Sequence, residues 1–235
     1  MVCISCKNEH DENYCPNCGE KNGVKKITFV SIIEDVFSSV TSMDRGFLYN
    51  MKTISLKPQK IASDYINGKR KGILNPVSYL IFSVTIYLIV ITIFKIPKEL
   101  SEINNVSKSS FQITLNETGL FIRTYLKYFW ILSVIPLGLA LKLVFKKYNY
   151  LEHLAISSFI IGHATLVGVI SYMLFKIHLI FDPIIYFVIF WLIYKVFKNN
   201  SKKLELFLTA FAALFLFIIQ LILIISIIGI LKSSG

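Results

Sequence analysis

Two pairs of cysteines near the N-terminus carry the clearest chemistry in this 235-residue chain. Cys3 and Cys6 form one C-x2-C pair, and Cys15 and Cys18 form another after eight intervening residues. A spacing of two residues lets both thiolates of a pair reach one metal ion, and two pairs supply the four sulfur ligands of a structural zinc site. The sequence therefore predicts a small zinc ribbon in residues 1–22.

A redox motif and an iron site are the two alternatives to zinc for these cysteines. A redox C-x-x-C motif is disfavoured because there are two pairs and no βαβ pattern around them, whereas iron in the same four-sulfur site is left open by the spacing. All four cysteines of the chain lie in this segment, which points to a reducing compartment. Gly19 follows the second pair, where positive φ helps the chain turn away from the metal.

The composition of the remaining chain is that of a membrane protein. Hydrophobic residues make up 54% of the sequence and charged residues only 17%, with a mean hydropathy of +0.63. Soluble domains carry about 25% charged residues. The N-terminus lacks a basic and then apolar run, so no cleavable signal peptide is expected.

Residues 23–75 are predicted to form cytosolic, interfacial helices. Apolar residues recur every three or four positions from Ile27 to Met43, which indicates an amphipathic helix. A second helical segment is predicted from Phe47 to Leu56, and a third from Pro58 to Asn67 with Gly68 as its C-terminal cap.

A basic run follows this third segment and directly precedes the first apolar stretch. Three cations in a row beside an anionic leaflet could bind lipid headgroups, each contributing about 1 kcal/mol. The simpler alternative is a topology anchor, and we weigh that alternative more heavily. The candidates for a lipid or ligand headgroup site are Asp64, Tyr65, Gly68, Lys69, Arg70 and Lys71.

Five apolar stretches predict an all-α polytopic membrane domain over residues 76–235. Asn75 and Pro76 open the first as N-cap and first helical residue. The fourth is the weakest, because Asp182-Pro183 and Lys195 shorten its apolar centre. The predicted spans cover about 76–94, 120–145, 154–175, 179–197 and 206–231.

The distribution of charge predicts which side the N-terminus occupies. With a cytosolic N-terminus and five spans, the inner segments hold 18 Lys and Arg against 7 elsewhere. This bias agrees with the positive-inside rule. The C-terminus is then expected outside.

Few polar residues fall within the predicted spans. His163 lies near the middle of the third, and an interhelical hydrogen bond, with Gln220 of the fifth span as a candidate partner, is its simplest role. Glu152 and His153 lie at the inner boundary, where an interfacial pair is favoured over a proton relay. His178 and Asp182, near the outer boundary, fit a cation site or a solvated turn equally well. Because no known catalytic motif appears, we assign no catalytic residue and favour a non-enzymatic protein.

Several elements of the sequence resemble a bacterial family of unknown function. They are Tyr14-Cys-Pro-Asn-Cys-Gly19, Asp44-Arg-Gly-Phe47, the D-Y-I-x-G-K-R-K run that ends at Lys71, and Asn75-Pro76. Members of that family join an N-terminal zinc ribbon to several membrane spans. Glu152, His153 and His163 also look like positions of the family. The resemblance implies a bacterial cytoplasmic membrane and supplies no activity.

Two functional hypotheses follow from the sequence. The first is a membrane scaffold or regulatory module, in which the zinc ribbon and interfacial helices recruit a cytosolic protein or anionic lipid. The second is a small transporter or channel, which could be a homo-oligomer, with a polar path near His163 and Gln220. Nucleic acid is not an expected partner, because Lys7 and Lys21 flank several acidic residues in the ribbon.

Overall fold

The computed structural model describes residues 2–20, 46–94, 130–198 and 203–233. The amphipathic helix predicted from Ile27 to Met43 lies outside these residues. Among those described, the regular elements are helices: α1 Gly46–Leu56, α2 Pro58–Ile66, α3 Pro76–Ile93, α4 Val134–Val144, α5 Tyr150–Phe175, α6 Pro183–Val196 and α7 Lys203–Ser233, with short 3-10 helices at Trp130–Ser133 and Leu179–Phe181.

Local sequence explains where the long helices begin. The side chain of Asn75 accepts a hydrogen bond from the amide of Val77 at 2.9 Å, so the predicted N-cap of α3 is confirmed. At the start of α5, Asn149 and Glu152 form a capping box, with each side chain accepting from the backbone amide of the other at 2.8 Å. These caps supply partners for amides that have none within the helix.

Helix α5 is the centre of the bundle and packs against α1, α2, α3, α4 and α6, while α7 packs against α4 and α6. A Cβ on Gly162 would lie 3.0 Å from the ring of Tyr79 and 3.2 Å from the Cα of Leu80. Helices α3 and α5 therefore approach each other closely at Gly162, where the lack of a side chain leaves room for Tyr79.

Three of the described helices are long and apolar enough to cross a membrane. They are α3 with 18 residues, α5 with 26, and α7 over the 26 residues Lys203–Ile228. Many large apolar side chains of α7 are exposed, among them Phe207, Phe211 and Phe215. Such a surface suits lipid, and the chain is a helical membrane protein.

Within the described residues, the other two predicted spans correspond to shorter apolar helices. The described part of the second is Trp130–Val144, since residues 120–129 lie outside the described residues. The fourth is not one helix from 179 to 197, because the chain turns at Asp182 and α6 holds only 14 residues. A helix of that length is about 21 Å long, short of a hydrocarbon core of about 30 Å. Pro183 sets the break, because it has no amide to continue the preceding turn.

Candidate metal centre and basic turn

The two cysteine pairs form matching turns. In the first turn, the amide of Lys7 donates to the carbonyl of Cys3 at 3.0 Å; in the second, the amide of Gly19 donates to the carbonyl of Cys15 at 2.6 Å. Lys7 and Gly19 both have positive φ, 64° and 70°. The sequence indicated this conformation for Gly19, whereas its equivalent in the first turn is a lysine that no local signal marked.

These turns bring the four sulfur atoms into one cluster. All four lie within 4.8 Å of one another. The sulfurs of Cys3 and Cys18 are 3.5 Å apart, as are those of Cys6 and Cys15. Four thiolates at about 2.3 Å from a tetrahedral zinc ion would be about 3.8 Å apart. The cluster therefore fits a zinc ion with small shifts, and Cys3, Cys6, Cys15 and Cys18 are the residues that would hold it.

The thiols of the cluster ionise unequally. The backbone amide of Cys6 lowers the pKa of Cys3. Burial opposes ionisation of Cys15, but the amides of Cys18 and Asn17 outweigh it and lower its pKa to about 6. For Cys18 the amide of Glu20 favours the thiolate, yet burial and the neighbouring sulfurs outweigh that amide and raise its pKa to about 12. A divalent cation would relieve the repulsion that keeps this last proton in place.

Glu20 connects the cysteine cluster to the basic run. This buried carboxylate accepts hydrogen bonds from the hydroxyl of Ser5 at 2.7 Å, the amide of Arg70 at 3.3 Å and the amide of Lys71 at 3.2 Å. Its own carbonyl accepts from the amide of Cys15 at 2.8 Å. Sequence reasoning missed Glu20, because pairing between residues 50 positions apart leaves no local pattern.

Residues 67–72, which directly follow α2 in the chain that leads to α3, form a defined turn, which we call the basic turn. Its first half is a Schellman cap, in which the amide of Gly68 donates to the carbonyl of Tyr65 at 3.2 Å and that of Lys69 to Asp64 at 2.8 Å. Gly68 has a φ of 90°, so its predicted role as the C-terminal cap of α2 is confirmed.

Each cation of the basic turn lies beside a specific group. The ammonium of Lys69 is 3.6 Å from the carboxylate of Asp64, and the guanidinium of Arg70 lies over the Tyr65 ring, 5.1 Å from its centre. The Lys71 ammonium lies over Gly19, 3.2 Å from the position of a Cβ there. The structure thus brings together all six headgroup candidates, Asp64, Tyr65, Gly68, Lys69, Arg70 and Lys71. Two of them, Arg70 and Lys71, contact the segment that holds the cysteine cluster.

His163 lies in the bundle interior and links three helices. Its Nδ1 is 3.1 Å from the hydroxyl of Tyr79 on α3, and its Nε2 is 3.2 Å from that of Ser55 on α1. The expected bond to Gln220 is not formed, and the side-chain oxygen of Gln220 has no hydrogen-bond partner among the described residues. His163 contacts Ser55 of α1 instead of Gln220 of α7, because α1 packs on α5.

The direction of these bonds determines what His163 can do. The Ser55 hydroxyl also lies 2.8 Å from the carbonyl of Met51 and donates to it. If the Tyr79 hydroxyl donates to Nδ1 and the protonated Nε2 donates to the Ser55 hydroxyl, both hydroxyls have an acceptor for their own proton. In that arrangement Nε2 presents a proton and no lone pair to Ser55, and the three residues form an interhelical link.

The remaining polar candidates have structural partners. Glu152 is committed to the capping box of α5, while His153 is buried and stacks on Phe197, with 5.8 Å between ring centres. Asp182 accepts a hydrogen bond from the amide of Ile184 at 2.9 Å as the N-cap of α6. His178 lies against the ring of Tyr172, 6.0 Å from its centre. The described contacts therefore give Asp182 a capping role, where the sequence left a cation site open.

Part of the chain matches a known protein family. Residues 44–88 match a family described as protein of unknown function (DUF3667). The match covers α1, α2, the basic turn and most of α3, 45 of 235 residues. It is consistent with the resemblance to a family of unknown function. None of the curated proteins and none of the solved structures matches the chain.

Proposed function

We propose that this protein is a non-enzymatic membrane module that binds anionic lipid headgroups through its basic turn, supported by a structural zinc ion in the cysteine cluster. The observation that carries the proposal is the position of the basic turn. It joins the interfacial helix α2 to the spanning helix α3 and packs against the cysteine cluster.

The arrangement of the cations favours a headgroup as the ligand. Lys69 and Arg70 are half-buried and held by Asp64 and Tyr65, so little side-chain entropy remains to be lost on binding a phosphate. An arginine fork suits phosphate oxygens in particular. Only residues 73–75 separate the turn from the apolar start of α3, which keeps the cations near the membrane surface.

Zinc has a supporting role in this proposal. Four thiolates around a divalent cation carry a net charge of about −2, and the ammonium of Lys71 over Gly19 is placed to offset part of it. The zinc ligands are Cys3, Cys6, Cys15 and Cys18. The positive-inside bias supports a cytosolic position for this end of the bundle, where thiols stay reduced.

The test measures lipid retention by the intact protein in nonionic detergent. Native mass spectrometry would follow titrations with dioleoylphosphatidylglycerol and dioleoylphosphatidylcholine. We expect the wild-type protein to prefer phosphatidylglycerol, and the triple variant Lys69→Gln, Arg70→Gln, Lys71→Gln to bind it roughly 10- to 100-fold more weakly, since each cation contributes about 1 kcal/mol.

A matched variant separates a specific site from net charge. Lys146→Gln, Lys147→Gln and Lys198→Gln together remove the same charge from exposed positions at the ends of α4 and α6. This variant should bind phosphatidylglycerol nearly as well as the wild type. Equal losses in the two triple variants, or no preference in the wild type, would contradict the proposal, and a soluble protein retained at the turn in place of lipid would do so as well.

A further inference from the structure

We infer that Glu20 couples metal occupancy to headgroup binding: the zinc-loaded cluster holds Glu20 in place, and Glu20 holds the basic turn in its binding conformation. This inference rests on the proposed function and adds its regulation. It makes Glu20 a positioning residue that acts through the backbone of Arg70 and Lys71 without touching the ligand.

The position of Glu20 is set by both cysteine turns. Its carbonyl is bonded to the amide of Cys15 in the second turn, and its carboxylate to the hydroxyl of Ser5 in the first. Glu20 is 5% exposed. A buried carboxylate is costly unless hydrogen bonds satisfy it, so its place depends on the donors that surround it.

Two of those donors belong to the basic turn. The amides of Arg70 and Lys71 converge on one carboxylate, on its two separate oxygens. Hydrogen bonds to a charged acceptor are stronger than those to a neutral one. They fix the backbone from which the guanidinium of Arg70 reaches Tyr65 and the ammonium of Lys71 reaches Gly19. Loss of the carboxylate would leave the turn with its Schellman cap but without this second restraint.

The metal controls whether Glu20 stays there. The described cluster buries two cysteines and Glu20 and few other side chains, so no apolar core holds residues 2–20 together. Structural zinc sites of this size fold with the metal and unfold without it. Removal of zinc would therefore release Glu20.

The sign of the effect separates this coupling from simple electrostatics. Glu20→Gln removes a negative charge next to the basic turn, so charge alone predicts tighter binding of phosphatidylglycerol. Loss of the restraint predicts weaker binding, by about tenfold. The matched control is Glu9→Gln, which removes the same charge from an exposed side chain in the same cluster and should bind as well as the wild type or slightly better.

The experiment uses the intact protein in nonionic detergent, with zinc content and phosphatidylglycerol affinity measured on the same samples. Ser5→Ala leaves the carboxylate in place and should weaken binding less than Glu20→Gln, by about threefold. Removal of zinc by a chelator should weaken wild-type binding at least as much as Glu20→Gln, and added zinc should restore it.

The outcomes distinguish this inference from the proposed function. If the wild type shows no preference for phosphatidylglycerol, the proposed function itself fails. If the wild type shows the preference, but chelation leaves its affinity unchanged or a zinc-loaded Glu20→Gln variant binds as tightly as Glu9→Gln, the coupling is overturned. If the Glu20→Gln variant loses its zinc, the zinc-loaded Ser5→Ala variant tests the coupling instead. An affinity for phosphatidylglycerol equal to that of the wild type in this variant would overturn the coupling.

Discussion

The cysteine cluster and the helical bundle are ordered by different forces. Within the described residues, the cluster buries Cys3, Cys15 and Glu20, whereas the bundle buries a continuous set of large side chains that includes Tyr79, Tyr87 and many aliphatic residues. Hydrogen bonds and four thiols define the first region. Close contact between apolar helices defines the second.

Because of this difference, we expect loss of metal from the cluster and loss of helix packing in the bundle to occur independently. A metal ion supplies the order of a segment too small to bury a core, so removal of one ligand is decisive there. In the bundle each residue contributes through packing or an interhelical bond, and the loss of one contact costs only part of the total stability. Glu20 and the basic turn are where the two regions meet.

The largest expected effect is the replacement of a single thiol. Cys15→Ser should reduce the zinc content of the purified protein from about a single ion per chain to nearly none, because a neutral hydroxyl is a poor zinc ligand beside three thiolates. The helix content measured by circular dichroism should be unchanged within about 10%. Loss of the bundle together with the metal would contradict independent failure of the two regions.

Acid should weaken the cluster next most strongly. Burial and the neighbouring sulfurs raise the pKa of Cys18 to about 12, so zinc must displace its proton at neutral pH. Each displaced proton lowers the apparent affinity roughly tenfold for every unit that the pH falls. Because the pKa of Cys15 is about 6, its proton also competes with zinc below that pH and the decline steepens. Competition with a zinc-binding dye from pH 8 to pH 5 measures this slope, and a flat profile would contradict the assignment.

A packing change in the bundle should cost a moderate amount. Gly162→Leu forces a side chain against the ring of Tyr79 and the backbone of Leu80, which should lower the free energy of unfolding by about 3 kcal/mol. Titration with a denaturing detergent measures this change. Leu174→Ala, at a position that is 70% exposed on the same helix, should change it by less than about 1 kcal/mol. Equal effects would mean that α3 and α5 are not closely packed, and both variants should keep their zinc.

The smallest expected effect is the loss of one buried hydroxyl. Tyr79→Phe removes the hydroxyl that is hydrogen-bonded to Nδ1 of His163 and leaves that buried nitrogen without a partner, at a cost of about 1–3 kcal/mol. Tyr194→Phe is the control, since the structure gives its hydroxyl no partner in the described part of the chain. Thermal unfolding in detergent would compare the two. A Tyr79→Phe variant as stable as Tyr194→Phe would argue against the interhelical link.

Patterns that act over a few residues were readable from the sequence. The C-x2-C spacing predicted that four sulfurs would meet, and the structure confirms their proximity. Asn75-Pro76 predicted the start of α3, and Gly68 predicted the end of α2. Each depends on the local conformation of the chain, which local sequence determines.

Contacts between distant segments were not readable in this way. Equal depth in two predicted spans suggested that His163 would meet Gln220, but depth does not say which helices are neighbours. The actual partner on α1 lies 108 positions away in the chain. The hydrogen bonds between Glu20 and the basic turn were missed for the same reason, because they join residues that are 50 and 51 positions apart. The length of α6 was overestimated because apolar composition continues across Asp182-Pro183, where the backbone turns.

Hydrogen exchange of the intact protein in nonionic detergent, with and without bound zinc, tests the central claim most directly. The account predicts that removal of zinc increases amide exchange both in residues 2–20 and at Arg70 and Lys71, while exchange in the core of α5 stays slow. Unchanged protection at Arg70 and Lys71 after complete removal of zinc would contradict it.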